Sequence, residues 1–280
     1  MAASAKPEPS TQIRDRFDGI SQNRSLERGL EILRAFRPGT DLLGNGELAE
    51  RTGLSAATVS RLTQTLVTSG FLEHDRAARA YRLAVPVLSL GHAMRAASPA
   101  LKAATPLMQE LSSKLKVNVG LAAPDRAEMI YLESIRYNRK PALRTIVAGQ
   151  RVPIELTSLG RAYLATLDAA ARDALIRGIK RSYRSTTWKP VGAEIDAAIA
   201  QVHADGYCVA SWQPGVVAMS TPLRLSGGRT MALNLSLTTD EPCASVARRY
   251  VGELLALKDR IAHALALSEP GTVSYAVHNP

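Results

Sequence analysis

Cysteine is scarce in this chain of 280 residues, which has Cys208 and Cys243 and no others. Two cysteines in apolar surroundings make no disulfide framework and are typical of reduced, buried thiols. Long hydrophobic runs are also missing, since no stretch approaches the roughly 20 consecutive apolar residues of a membrane-spanning helix. The N-terminal residues lack the apolar core of a secretory signal. We therefore expect a cytoplasmic protein without a membrane partner.

Patterns for catalysis and for metal binding are absent from the sequence as well. The five histidines are scattered, and none has a metal-ligand spacing to an acidic or cysteine neighbour. There is no G-x-S-x-G elbow, no Walker-type phosphate loop and no dinucleotide fingerprint. The sequence thus predicts no metal, no cofactor and no catalytic residues. An enzyme that uses the second half of the chain stays as an alternative.

The net charge of +10 is unevenly distributed along the chain. Residues 24–82 contain nine Lys and Arg against seven Asp and Glu, whereas residues 83–267 contain 23 against 14. A basic surface attracts DNA non-specifically and would also favour an anionic small molecule. The simpler interpretation is a solvated basic surface on helices such as the one at 177–184.

The segment 46–83, GELAERTGLSAATVSRLTQTLVTSGFLEHDRAARAYRL, has the pattern of a winged helix-turn-helix. Gly53 stands where a short helix must end, because a residue without Cβ adopts a positive φ at little cost. Ser55 is placed as the N-cap of a second helix. That helix carries one apolar stripe, formed by Val59, Leu62 and Leu66. Upstream, a similar stripe predicts a first helix packed behind the pair, formed by Leu26, Leu30, Leu33 and Phe36.

The polar side of the second helix is a candidate DNA-reading face. Its small and hydrogen-bonding residues, with those of the helix start, are Ser55, Ala57, Thr58, Ser60, Arg61 and Gln64. Small side chains allow entry into the major groove, and Arg and Gln can form bidentate bonds to guanine and adenine edges. A hairpin with a basic loop follows, which would bring Arg76, Arg79 and Arg82 to phosphates or a minor groove. An ordinary solvated helix and hairpin tip are the alternatives.

The second half of the chain predicts an α+β domain. A connecting helix is expected at 86–96, followed by helices at 99–116, 157–178, 192–205 and 244–267. Strand patterns occur at 117–123, 128–135, 142–147, 207–212, 216–223 and 230–238. Strands grouped on either side of helices suggest an antiparallel sheet with helices on its faces.

In the order of these segments, the chain resembles the IclR family of bacterial transcription regulators. The resemblance is carried by residues 25–36, 47–73, 81–91, 147–165, 205–225 and 231–238, and covers roughly 24 to 267. It implies a winged helix-turn-helix at 24–84, a linker helix at 85–98 and a GAF-like effector domain at 99–267. Disordered tails are expected at 1–23 and 268–280.

Effector-binding positions follow from the same resemblance. The implied residues are Ser158, Leu159 and Gly160 at a helix N-terminus, Ala218, Asn234, Ser236 and, more loosely, Arg144. Asn234 and Ser236 lie two apart on one strand, so they share a face and need partners if they point inward. The chain departs from many relatives at ASWQP, residues 210–214, and at Ala218, where some relatives carry Cys.

The sequence as a whole predicts a ligand-responsive regulator of a catabolic operon, acting as repressor or activator. Its expected partners are double-stranded operator DNA, a small organic acid, with aromatic acids as one option, and further copies of itself in a homodimer or tetramer. A DNA-binding protein without a small-molecule effector is the alternative of a different class.

Overall fold

Two units form the chain, and they divide between Ala97 and Ser98. The structure is a computed structural model that describes residues 23–137 and 147–268. Most of the predicted tails at 1–23 and 268–280, most of the predicted strand at 142–147, and Arg144 lie outside these residues. Within the described residues, none of the helices has the length and apolar character needed to cross a membrane.

The first unit combines helices with a small antiparallel sheet. Its elements are α1 (Arg24–Ala35), β1 (Leu43–Gly44), α2 (Asn45–Thr52), α3 (Ala56–Thr68), β2 (Leu72–Asp75), β3 (Ala80–Leu83) and α4 (Pro86–Ala96). The strands are ordered β1-β3-β2, so that β2 and β3 form the predicted hairpin. β1 was not predicted, because two residues are too few to show a strand period.

The turn between α2 and α3 has the predicted capping chemistry. Gly53 ends α2 with a φ of +68°, and its N–H donates to the carbonyl of Ala49 at 2.9 Å. Ser55 begins α3, and its hydroxyl accepts from the N–H of Thr58 at 3.3 Å. Both predictions are confirmed, since these signals depend only on residues close by in the sequence.

The stripe predicted for α1 is wrong for two residues. Leu26 is 61% exposed and Leu30 is 50% exposed. The buried face of α1 instead contains Gly29, Ile32 and Ala35, which lie on a neighbouring stripe of the same helix. α4 also has no buried residue, and its Leu88 and Met94 are exposed. The first unit therefore exposes several large apolar side chains.

The second unit contains a six-stranded antiparallel sheet. Its helices are α5 (Pro99–Leu115), α6 (Ser158–Leu164), α7 (Ala169–Lys180), α8 (Ser185–Asp205) and α9 (Cys243–Ser268), with a short 3-10 turn at Ser226–Gly228. Its strands are β4 (Asn118–Asp125), β5 (Glu128–Ile135), β6 (Arg151–Pro153), β7 (Cys208–Gln213), β8 (Val216–Arg224) and β9 (Thr230–Thr238). They are ordered β6-β5-β4-β9-β8-β7.

Helices cover both faces of this sheet, as predicted. One face packs against α5 and α9 through side chains such as Leu121, Met219 and Leu235. The other face packs against α6, α7 and α8 through side chains such as Ala122, Met129 and Ala232. The alternation follows from the two-residue period of a strand. The α+β class with an antiparallel sheet is thus confirmed.

Two helix boundaries and one strand differ from the prediction. The helix expected at 157–178 is interrupted, because the carboxylate of Asp168 accepts from the N–H of Ala171 at 2.8 Å and starts α7. α8 begins at Ser185 rather than 192, since Pro190 lies within its first two turns and does not end it. β6 was not predicted, because three residues are too few to show the period of a strand. In the structure it pairs with β5.

Candidate nucleic-acid interface and ligand cavity

The outer face of α3 presents the side chains that were predicted to read DNA. Ser55, Ala57, Arg61 and Gln64 are exposed, whereas Thr58 and Ser60 are half-buried. The inner face buries Val59, Leu62 and Thr63 against the rest of the unit. Ala57, Arg61 and Gln64 follow at i, i+4 and i+7, so they form one stripe along the helix.

Most hydroxyl groups of α3 are engaged within the helix. Thr63, Thr65 and Thr68 donate to the carbonyls four residues earlier, at 2.9 to 3.1 Å. The hydroxyls of Ser55 and Thr58 bond to each other at 2.9 Å. By contrast, the side chains of Arg61 and Gln64 make no hydrogen bond or ion pair within the described part of the chain. These two residues therefore hold the unused hydrogen-bonding capacity of the face.

The tip of the β2–β3 hairpin is organised by Asp75. Its carboxylate accepts from the N–H of Ala78 at 3.0 Å and from the guanidinium of Arg82 at 2.6 Å. The Ala78 amide and, less strongly, the charge of Arg82 lower the pKa of Asp75. Arg76 and Arg79 are exposed in the turn, and Arg79 has a φ of +51°. The hairpin thus presents two cations while the third is paired.

The second unit contains a cavity of about 610 Å³ at one end of the central strands. Residues that line it include Gly120, Tyr131, Arg136, Trp212, Asn234 and Ser236. Asn234 and Ser236 were predicted as effector contacts, and the structure places both in this lining. The cavity lies within the size range of small-molecule sites.

Asn234 and Ser236 point to the same face of the sheet, as their spacing predicted. In the β8–β9 register, Ala218 lies opposite Ser236 and Ser220 lies opposite Asn234. Asn234 is 3% exposed, and its Nδ2 donates to the hydroxyl of Tyr131 at 3.4 Å. Its Oδ1 is buried without a hydrogen-bond partner among the described residues.

The N-terminus of α6 has a packing role in this structure. The hydroxyl of Ser158 bonds to that of Ser220 at 2.8 Å, and the N–H of Gly160 donates to the hydroxyl of Thr157 at 3.2 Å. A Cβ at Gly160 would lie 2.2 Å from the backbone of Ile154, so glycine permits the close approach. The lining of the cavity, within the described residues, does not include Ser158, Leu159, Gly160 or Ala218. Their contact with a ligand stays a prediction.

The lining also contains residues that the sequence analysis did not single out, among them Gly120, Tyr131 and Arg136. Gly120 interrupts a strand pattern, and an isolated glycine there is a signal for close approach of another group. Trp212 belongs to the segment 210–214, where the sequence departs from many relatives. The β7–β8 register shifts between Ala210 and Gln213, and this irregularity accompanies the placement of Trp212 in the lining. Arg144 lies outside the described residues.

Cys208 is a structural thiol. Its Sγ donates to the carbonyl of Ser158 at 3.3 Å, and burial raises its pKa to about 12. A thiol with this pKa stays protonated near neutral pH and is a poor nucleophile. Cys243 is half-buried, and both cysteines are free.

Comparison with known proteins matches both units. A family model for the IclR helix-turn-helix domain matches residues 25–76. A second model, for the C-terminal domain of the bacterial transcriptional regulator IclR, matches residues 95–263, which is more than half of the chain. The chain belongs to the IclR family.

Individual relatives agree with this assignment. The HTH-type transcriptional regulator TsaQ1/TsaQ2 of Comamonas testosteroni is 35% identical over 195 residues, covering 68% of this chain and 68% of the relative. The crystal structure of an IclR family transcriptional regulator from Brucella abortus superposes with a TM-score of 0.77 and 30% identity, covering 90% of this chain and 95% of that one.

A more distant structural neighbour has the same fold. It is an IclR homolog from Microbacterium hydrocarbonoxydans complexed with 4-hydroxybenzoate. The TM-score is 0.66 and the identity 20%, and the match covers 87% of this chain and 100% of that chain. The second unit thus has the GAF-like α+β architecture that the resemblance implied. As a member of this family the chain is a DNA-binding transcription regulator, and the matched families and relatives are regulators rather than enzymes.

Proposed function

We infer that this IclR-family regulator senses a small organic acid in the cavity of its second unit and adjusts its binding to operator DNA. One observation carries the proposal. The buried Asn234 amide faces a cavity with an unpaired acceptor, and an unmade bond of this kind is costly unless something binds there. The same chain carries an exposed reading face on α3.

Double-stranded operator DNA is the proposed macromolecular partner. The exposed Arg61 and Gln64 would bond base edges, and the small Ala57 would allow close approach to the groove. Ser55, Thr58 and Ser60 would contact the backbone near the start of α3, and Arg76 and Arg79 would contact phosphates from the wing. Because bacterial DNA lies in the cytoplasm, a protein with this function would be located there.

The proposed effector is an aromatic organic acid. Within the described lining, Arg136 is the charged side chain. Tyr131 and Trp212 add aromatic surface to the lining. A cation together with aromatic walls suits an aromatic carboxylate. The Microbacterium hydrocarbonoxydans relative, complexed with 4-hydroxybenzoate, supplies a concrete probe.

Self-association through the first unit is also proposed. Leu26 and Leu30 on α1 and Leu88 on α4, which is 76% exposed, leave large apolar surfaces uncovered. Exposed apolar patches of this kind mark interaction surfaces. A homodimer, or a tetramer built from two dimers, would cover them and give one α3 per half-site. Light scattering of the full chain gives the molar mass directly, and a monomer would contradict this part.

The test of the function is a mobility-shift titration with DNA from upstream of the chain's own gene. At low salt we expect a discrete complex that an excess of unrelated DNA does not remove. Adding 4-hydroxybenzoate at millimolar concentration should change the fraction of DNA bound. Absence of a specific complex would contradict operator binding, whereas a complex indifferent to every aromatic acid tested would support a regulator without such an effector. Transcription assays then decide between repression and activation of the catabolic operon.

A further inference from the structure

One residue of the cavity lining carries a hydrogen-bond acceptor that the described part of the chain leaves unused. Asn234 lies on the central strand β9 and is 3% exposed, so water reaches it poorly. Its Nδ2 bonds to Tyr131, but its Oδ1 has no partner in the described residues. A buried unpaired acceptor is destabilising, and such groups are rare in folded proteins. The position therefore has a use that folding alone does not explain.

Gly120 makes the room in which this acceptor lies. It faces Asn234 directly in the β4–β9 register. A Cβ at position 120 would lie 2.4 Å from Oδ1 of Asn234 and 2.5 Å from Cε1 of Tyr131. Any other residue would displace one or both side chains. The amide and the phenol thus share a space that depends on the missing side chain.

Tyr131 supplies the complementary donor. Its oxygen accepts the bond from Asn234, so its own proton stays available for a second bond. Burial raises the pKa of Tyr131, so the phenol keeps that proton at physiological pH. An acceptor and a donor consequently lie side by side in the cavity lining. One chemical group satisfies both, since a hydroxyl donates one hydrogen bond and accepts others.

The rest of the lining indicates what carries this hydroxyl. Arg136 brings a positive charge to the lining. Trp212 and Tyr131 contribute aromatic surface. These features favour an anion with a flat apolar body.

We propose that Asn234 and Tyr131 form a hydroxyl-selective subsite, and that the effector is a hydroxylated aromatic acid. The hydroxyl donates to Oδ1 of Asn234 and accepts from the phenol of Tyr131. Gly120 is required because it leaves the space for this pair. The inference rests on the proposed function, in which this cavity binds an aromatic acid, and adds the group that the cavity selects.

Calorimetric titration of the full chain with matched acids tests the subsite. The probes are 4-hydroxybenzoate against 4-fluorobenzoate, and 3-hydroxybenzoate against 3-fluorobenzoate, since fluorine has a similar size and donates no hydrogen bond. In the wild type, at least one hydroxy acid should bind about tenfold more tightly than its fluoro partner. Equal affinities within both pairs would overturn the subsite while leaving an aromatic-acid sensor. Absence of binding by all four acids would overturn the proposed effector class and the subsite with it.

Variants assign the preference to the two residues. Asn234→Leu keeps a similar volume and removes the acceptor, so the hydroxy acid should lose its advantage over the fluoro acid. Tyr131→Phe keeps the packing of the ring, and it should reduce the same ratio without abolishing binding of the fluoro acid. Gly120→Ala should weaken both members of a pair. Gly178→Ala, on α7 with nothing within 4 Å of the added Cβ, is the matched control and should leave all affinities unchanged. A hydroxyl preference that survives in both Asn234→Leu and Tyr131→Phe would refute the assignment.

Discussion

The two units place their polar side chains in opposite environments. On α3, Arg61 and Gln64 point outward, and water satisfies their hydrogen bonds when no DNA is present. On β9, Asn234 lies under the helices of the second unit with an acceptor that nothing in the described chain satisfies. A solvated polar face costs nothing to maintain and is therefore weak evidence for a ligand. A buried unpaired group destabilises the fold, so its presence is much stronger evidence.

The largest expected effect concerns the buried side of α3. Leu62→Ala removes a core side chain of the first unit and should lower the free energy of unfolding by about 2–5 kcal/mol. Thr65→Ala, on the exposed side of the same helix, should change it by less than about 0.5 kcal/mol. Chemical denaturation measures both. Similar values for the two variants would contradict the orientation of α3.

The next effect concerns DNA. Arg61→Ala and Gln64→Ala should each weaken binding to the upstream promoter fragment by about 1–3 kcal/mol, because each removes a base-edge contact. Thr65→Ala serves as the control, since its hydroxyl is bonded to the carbonyl of Arg61 within the helix. Fluorescence anisotropy with labelled DNA gives the affinities. Unchanged affinity in both variants would show that another face of the unit reads the DNA.

A smaller effect compares the two polar environments directly. Without ligand, Asn234→Leu should raise the free energy of unfolding by about 1 kcal/mol, because removal of a buried unpaired acceptor outweighs loss of the long bond of 3.4 Å to Tyr131. Gln64→Leu, on the exposed face of α3, should stay within about 0.5 kcal/mol of the wild type. Chemical denaturation curves of the two variants and the wild type measure these free energies of unfolding. Strong destabilisation by Asn234→Leu would mean that Oδ1 of Asn234 has a structural partner and is not held open for a ligand.

The smallest effect separates wing contacts from the general basic charge. Arg76→Gln should weaken DNA binding evenly across sequences and reduce the slope of log affinity against log salt by about 1. Arg177→Gln, an exposed cation in the second unit, should leave the slope unchanged. Equal changes would show that the basic surface of the second unit also contacts DNA.

Local signals predicted the DNA-binding unit well. Gly53 and Ser55 define a turn and a cap that depend on a few neighbouring residues, so α2 and α3 could be placed from the sequence. Orientation was harder, because Leu26 and Leu30 fit a helical period but lie on the exposed side of α1. Periodicity identifies a helix, but it does not say which of two adjacent apolar stripes meets the core.

The ligand cavity could be predicted only in part. Asn234 and Ser236 shared a face because strands alternate, and the structure placed both in the lining. Tyr131 was not foreseen, since its position over Gly120 depends on a register shift in β4–β5 between Leu121 and Ala122. Such a shift depends on non-local pairing. The residues at the start of α6 were predicted as ligand contacts from the family resemblance. In the structure Ser158 and Gly160 make packing contacts with Ser220 and Ile154, which are distant or non-adjacent in the sequence.

Coupling between the two polar sites is the most direct test of the account. The affinity of the full chain for its promoter DNA should be measured with and without saturating 4-hydroxybenzoate, and the affinity for the acid with and without DNA. A ligand-responsive regulator predicts that each partner changes the affinity for the other by the same factor, different from one. If both partners bind and the factor equals one, the cavity does not control the DNA-binding unit and the central claim is contradicted.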